Sequence, residues 1–351
     1  MNTPPLRSII MNGGQGDVVM AANGLAALLS LDAPVLATDA VCYTRSLVSP
    51  LIAWMLPDVE VRPISGSKAA CRSRYFTSAN TSWSTVLRNW LGSDYYVNFA
   101  SPRRRASHGF PAPRGSEKLQ HWLTELKLHG SIDWHRASPV YYGQRMWAPM
   151  AARLGYSEVD LLRGLHLSYQ LLRQRLLSRA ASIGQIEDLP RIAIFPVGKA
   201  YQTMPPAFAA QLMEDFPQGD YACYFAPADS AIDHYRAAGL RCEVTADLEA
   251  VLSIVAHSPV VATVDSFVSH VAQLVARRHV AFMSHDLPQH TVHPAAPSEL
   301  VFRALPCVPC NYLMRHDVQH CASGFTRCGV YDDPAYLLRG RALLHQAFEH
   351  D

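Results

Sequence analysis

Val260-Val261-Ala262-Thr263-Val264-Asp265-Ser266-Phe267-Val268-Ser269-His270 is the stretch whose reading decides the fold. Its first five residues are apolar or β-branched, the composition of a strand buried on both faces. Asp265 ends that run, and Ser266 is a residue type that opens helices. Apolar residues then recur at helical spacing as far as Ala276, and a second apolar run, His279 to Met283, follows at once. Strand, helix and strand in so short a span make a βαβ unit of a parallel sheet.

The same rhythm extends outward. Ile192-Ala193-Ile194-Phe195 and Tyr221 to Phe225 read as buried strands. Pro206 to Phe216, Ala231 to Ala238, and Asp247 to Ala256 read as helices, the last with Asp247 as its N-cap. Pro334 to Glu349 closes the chain as a helix. In the first half, Ser8 to Asn12 is strand-like, Gly13-Gly14-Gln15-Gly16-Asp17 is a glycine turn, and Val18 to Leu31 is helix-like. Pro34 to Asp39, Val59 to Arg62 and Tyr95 to Phe99 are further strands, while Ser49 to Leu56, Glu117 to Leu128, Gly143 to Leu154 and Glu158 to Ala181 are helices. Ser182 to Pro190 is polar and breaks the chain in two. The expectation is therefore an α/β protein of two Rossmann-like doubly wound domains facing across a cleft, at 1–182 and 190–330, with a closing helix in 331–351. Ligands of such sheets sit at the carboxyl ends of the strands, so the strand-end residues of both halves are the candidates.

Composition narrows the function classes. The 351 residues carry 31 Lys plus Arg against 29 Asp plus Glu, a net charge of +2, which lacks the electrostatic footprint of a general nucleic-acid binder. Hydrophobic residues make up 49%, enough for two cores. No apolar run is long enough to span a membrane, and Met1 to Gly14 does not read as a signal peptide, so the expected location is the cytoplasm.

Four groups of residues carry chemistry. Gly13, Gly14 and Gly16 let a backbone approach a ligand closely beside a helix start, although the G-x-G-x-x-G dinucleotide spacing is absent. Asp17 reads equally as a helix cap and as an acid–base residue. Asp265 ends a strand, Ser266 opens a helix, and Ser269 and His270 lie in its first turn; free N–H groups and the helix dipole there favour a phosphate. Alternatively the same residues cap a helix whose histidine is on the surface. Phe195-Pro196-Val197-Gly198-Lys199 puts a lysine at a strand end, where it neutralises a diphosphate or is simply solvated. Cys307-x2-Cys310-x10-Cys321-x6-Cys328 suits tetrahedral coordination of one structural zinc or iron, with all four positions filled by protein. Four reduced cysteines in a loop are the plainer alternative. Arg103-Arg104-Arg105 is a solvated basic loop or a contact to an anionic acceptor.

Taken together these residues resemble glycosyltransferase family nine, the heptosyltransferase family of the GT-B fold. Gly16-Asp17-Val18 after the first strand, Asp265-Ser266 with His270 four residues beyond Ser266, and the late cysteines carry the resemblance. It implies Asp17 as catalytic base, and the segment from Asp265 to His270 as the holder of the donor's diphosphate. It also places Asp229 near the ribose-contacting acid. Three departures stand out. Phe267 occupies the place of the family's glycine. Gln202-Thr203-Met204-Pro205 replaces its Lys-x-Trp-Pro, with Lys199 three residues earlier. Asn23 stands near the position of a proline common after the first turn of the first helix. The implied activity is inverting transfer of a sugar, heptose from ADP-heptose favoured, to a saccharide, protein or small-molecule hydroxyl. No catalytic metal and no nucleic-acid partner are expected. A sugar-nucleotide epimerase or hydrolase on the same fold is the alternative enzyme. Phe267 and the missing lysine motivate a third reading, a non-catalytic nucleotide-sugar-binding or assembly protein.

Overall fold

The computed structural model describes residues 5–12, 14–63, 95–98, 129–131, 140–184, 186–198, 202–227, 229–284, 286–305, 308 and 328–349. Lys199, Gly13, Arg103, Arg104, Arg105, Cys307, Cys310 and Cys321 lie outside these residues, as does the helix expected over Glu117 to Leu128. The chain divides into two compact units, the first ending at Leu172 and the second beginning at Arg173.

The first unit contains β1 (Leu6–Asn12), α1 (Gln15–Leu29), β2 (Leu36–Thr44), α2 (Ser49–Met55), β3 (Glu60–Pro63), β4 (Tyr95–Asn98), β5 (His129–Ser131) and α3 (Tyr142–Arg153). Its parallel sheet has the order β3-β2-β1-β4-β5. Chain order thus runs outward from β1 in both directions, the doubly wound arrangement. α1 is buried along its whole length from Val18 to Leu28, which explains its nearly unbroken apolar sequence. Two glycines make its packing possible. A Cβ on Gly24 would lie 2.2 Å from the Gly143 carbonyl oxygen, and one on Gly143 would lie 2.4 Å from that of Met20. α1 and α3 therefore cross backbone to backbone. Trp147 Nε1 donates to the Ala21 carbonyl at 2.8 Å beside this crossing. Asn23 is 2% exposed and donates from Nδ2 to the Tyr141 hydroxyl at 2.9 Å, so a polar residue in a buried helix has a partner on the chain leading into α3.

α4 (Glu158–Ile183) follows; of the leucines expected along one face, Leu161, Leu165, Leu172 and Leu176 are buried, whereas Leu162, one residue round the helix from Leu161, is exposed. The second unit then runs β6 (Ile192–Phe195), α5 (Pro206–Met213), β7 (Tyr221–Phe225), α6 (Ile232–Ala237), β8 (Cys242–Val244), α7 (Leu248–His257), β9 (Val260–Val264), α8 (Phe267–Val275), β10 (Arg278–Met283), α9 (Pro288–Thr291), β11 (Ser298–Phe302), a 3-10 turn (Gly329–Asp332) and α10 (Pro334–Glu349). Its parallel sheet has the order β11-β10-β9-β6-β7-β8. β6 and β9 are neighbours, and the chain departs from them in opposite directions, which makes the crevice at their carboxyl ends the topological switch point.

Alternation of side chains sorts the sheet's two faces. Ile192, Ile194, Cys223, Phe225, Val260, Ala262, Val264, Val280 and Phe282 enter one core with Phe208, Leu212, Tyr331, Tyr336 and Leu344 from α5, the 3-10 turn and α10. Thr263 and His279 point to the opposite face, where α8 packs on β9 and β10. Asp247 caps α7 as expected, its Oδ1 accepting from the Ala250 N–H at 2.9 Å.

Candidate functional site

In the first unit, α1 begins at Gln15, three residues before the start expected at Val18. Gly16 and Asp17 therefore belong to the first helical turn rather than to a loop. The Asp17 carboxylate accepts a hydrogen bond from the Gly14 N–H at 2.5 Å. That is the reciprocal half of a capping box; Gly14 has no side chain to supply the other half. Asp17 is half-buried at the carboxyl end of β1, the central strand of its sheet. It is both a cap and a carboxylate at the edge where a parallel sheet binds ligands.

In the second unit, β9 ends at Val264, and Asp265 follows with 4% exposure. Ser266 takes the N-cap position of α8 in an extended conformation, φ −148° and ψ 178°. Its hydroxyl makes no capping bond, and Ser266 Oγ is buried without a hydrogen-bond partner among the described residues. Backbone N–H groups at a helix start have no intrahelical partner, so Phe267 to Ser269 carry donors toward the carboxyl edge of the sheet. Phe267, at the first position of α8, is half-buried.

The turn after β6 closes against this helix start. A Cβ on Gly198 would lie 2.6 Å from Gln202 Cβ, 3.3 Å from Val264 Cγ2 and 3.4 Å from the Asp265 carbonyl oxygen. Only a residue without a side chain fits there unstrained. Thr203 Oγ1 accepts from the Gly198 N–H at 3.2 Å and donates to the Gly198 carbonyl at 3.1 Å. The Met204 N–H donates to the Pro196 carbonyl at 2.9 Å. The Tyr331 hydroxyl donates to the Gln202 carbonyl at 3.1 Å, and that of Tyr235 to the Met204 carbonyl. The segment Gln202-Thr203-Met204-Pro205 is thus a clasp for the β6 turn. The sequence pointed to Lys199, which lies outside the described residues, and not to Gly198 or Thr203. The available signal was a glycine immediately after a buried strand.

His270 is 4% exposed, not a surface residue. It lies near enough to His279 of β10 to act on it electrostatically. His279 bridges three strands, with Nε2 2.9 Å from Thr263 Oγ1 of β9 and Nδ1 2.8 Å from Ser298 Oγ of β11. Burial first, and the neighbouring His270 second, push the His279 pKa down to about 3, so its imidazole is neutral. Ser269 is 1% exposed and accepts from Gln273 Nε2 at 3.5 Å. Gln273 Oε1 accepts from the His293 N–H at 2.7 Å, which ties α8 to the segment after α9. Beyond β10, Asp286 and His290 form a fully buried pair with Nδ1 2.8 Å from Oδ1.

Asp229 lies beyond β7, half-buried, and its Oδ1 accepts from the Ala231 N–H at 3.0 Å. Of the four clustered cysteines, Cys328 is described; it is buried and its Sγ donates to the Ser284 carbonyl at 3.6 Å. Among the described residues, no group of three or more His, Cys, Asp or Glu is arranged to hold a metal ion. No helix among them is long and apolar enough to cross a membrane.

No protein-family model matches the sequence, and no curated protein matches it. Solved structures do match its fold. The E. coli ADP-heptose LPS heptosyltransferase II is 14% identical with a TM-score of 0.59, covering 98% of each chain. A family 9 glycosyltransferase from Veillonella parvula DSM 2008 is 13% identical with a TM-score of 0.59, covering 100% of this chain and 99% of its own. The E. coli heptosyltransferase WaaC with ADP is 14% identical with a TM-score of 0.52, covering 84% and 92%. The expected GT-B-type architecture of two parallel α/β units is therefore the fold of this chain.

Proposed function

We propose that this chain is a glycosyltransferase that moves a sugar from a nucleotide-sugar donor to a hydroxyl of a saccharide, protein or small molecule, with inversion at the anomeric carbon. ADP-heptose is the favoured donor, because the structures that share the fold over nearly the whole chain include an ADP-heptose heptosyltransferase. The observation that carries the proposal is the β6/β9 switch point. There the Gly198 turn packs against Asp265, and α8 starts with an uncapped serine.

In this mechanism the N–H groups of Phe267 to Ser269, the Ser266 hydroxyl and the α8 dipole hold the donor diphosphate, with Lys199 and His270 adding positive or donor character. Asp229 contacts the ribose. Asp17 takes the proton of the acceptor hydroxyl as its oxygen attacks the anomeric carbon. The bond from that carbon to the phosphate oxygen breaks, and the electron pair leaves with the nucleoside diphosphate. Its growing charge is met by the same N–H groups, so no metal takes part. Arg103, Arg104 and Arg105 are proposed acceptor contacts. One structural zinc or iron is assigned to Cys307, Cys310, Cys321 and Cys328, on their spacing, and the cytoplasm is the proposed location.

The test is incubation with a panel of nucleotide sugars and acceptors, read by mass spectrometry. Sugar-bearing acceptor supports the proposal. Conversion of donor without acceptor replaces it with an epimerase or hydrolase. Absence of nucleotide-sugar binding in calorimetry replaces it with an assembly role.

A further inference from the structure

We infer that Arg173 is a positioning residue for the donor end of α8, a role that rests on the proposal that α8 holds the diphosphate. α4 is one unbroken helix from Glu158 to Ile183, and the boundary between the compact units falls inside it, with Arg173 the first residue of the second. From Arg173 onward α4 is fastened to the two helices beside it. Arg173 Nη1 donates to the Leu274 carbonyl at 2.9 Å and to the Ala276 carbonyl at 3.3 Å. Arg179 pairs with Glu249 of α7, and the Ser253 hydroxyl of α7 donates to the Gly184 carbonyl at 2.8 Å.

The two carbonyls that Arg173 takes are at the end of α8, where the last carbonyls of a helix lack intrahelical donors. α8 has nine residues and is therefore about 13 Å long. Over that length the guanidinium acts only weakly through space on a ligand at Ser266, because the attraction is screened. Its effect is mechanical. α8 is held at its start by the covalent link to β9 and along its side by Gln273, which takes the His293 N–H and donates to the Thr291 carbonyl at 3.4 Å. At the far end it is held by the two-residue link to β10 and by Arg173, which takes the Leu274 and Ala276 carbonyls. Without Arg173 that end keeps only its covalent link and its packing, so the tilt of α8 is less fixed and the N–H groups of Phe267 to Ser269 aim less well.

The experiment uses the full chain, with ADP as the probe in titration calorimetry, and compares wild type, Arg173→Ala and Arg173→Lys. Arg173→Ala is expected to weaken ADP binding about fivefold, the effect of losing one charge-assisted anchor. Arg173→Lys, whose ammonium reaches the same carbonyls, restores most of it. In hydrogen exchange with ADP bound, the amides of Phe267 to Ser269 exchange faster in Arg173→Ala than in wild type, while the strand amides of β6 and β9 do not. In turnover, the donor KM rises and the acceptor KM stays unchanged. A wild type that binds ADP with an Arg173→Ala variant that binds it equally overturns the role of Arg173 and leaves the donor proposal standing. A wild type that binds no nucleoside diphosphate overturns both. If Arg173→Ala does not fold, Arg173→Lys and Arg173→Gln are compared, and equal ADP binding by those two overturns the inference.

Discussion

The Asp17 carboxylate accepts the N–H of Gly14, 2.5 Å away, so the residue proposed as base also closes the first turn of its own helix. Geometry at rest does not separate the two roles, but substitution does. Asp17→Asn keeps an oxygen that accepts from Gly14 and loses the ability to take a proton. Asp17→Ala loses both. Arrayed against wild type, Asp17→Ala should cost about 0.5–2 kcal/mol in urea unfolding, and Asp17→Asn much less. Both should lower transfer by about a hundredfold or more. Full transfer by Asp17→Asn removes Asp17 from the chemistry and leaves it a cap.

Gly24 and Gly143 hold α1 and α3 at backbone contact, with 2.2 Å between a Cβ built on Gly24 and the Gly143 oxygen. Gly24→Ala should therefore destabilise the first unit by about 1–3 kcal/mol or more, since the opposing atom is backbone and cannot rotate away. Gly219→Ala, with nothing within 4 Å of its added Cβ, is the control and should change stability little. Thermal melts of the two variants check this; equal melting temperatures would count against the crossing.

His279 gives acid stability a defined slope. Its folded pKa is pushed down to about 3 by burial and by His270, below the ordinary value of 6.5. Between those values the unfolded chain binds a proton that the folded chain refuses. The stability is whole above about pH 6.5 and is lost as pH falls toward 3, by up to about 1.4 kcal/mol per pH unit. His279→Gln, which can still face Thr263 and Ser298, should flatten this dependence. Urea midpoints from about pH 7.5 down to 5 measure it, and parallel curves for the two proteins would show that His279 is not the group responsible.

For the four cysteines, elemental analysis of the purified chain should find one zinc or iron per molecule. Chelation should make residues 305–330 more open to proteolysis without acting on the chemistry directly. Protein holding neither metal would leave Cys307, Cys310, Cys321 and Cys328 as reduced thiols.

What the amino-acid order determined by itself was the set of elements that bury both faces or one whole stripe. β6, β7 and β9 begin and end where their apolar or β-branched runs do, because a strand covered on two sides takes a polar group only where it finds a partner, as Thr263 of β9 does in His279; α10 spans Pro334–Glu349 as its sequence predicts. The cap at Asp247 was legible for the same local reason: its partner is three residues away. β5, β8 and β11 were not legible. Strands of three to five residues at or near a sheet's edge are too short to show a period, and their pairing partners are distant in sequence. α1 starts before Gly16 although that residue favours a turn, because the burial of the helix behind it overrides the preference. The site follows the same division. Asp17, Asp265, Ser266 and His270 could be picked out as strand-end or helix-start residues. That Gly198 must be bare, that Thr203 clasps it, that His270 is buried rather than on the surface, and that Arg173 anchors α8 were decided only by tertiary packing. Each depends on atoms brought together from separate elements, and contacts of that kind leave no periodic trace along the chain.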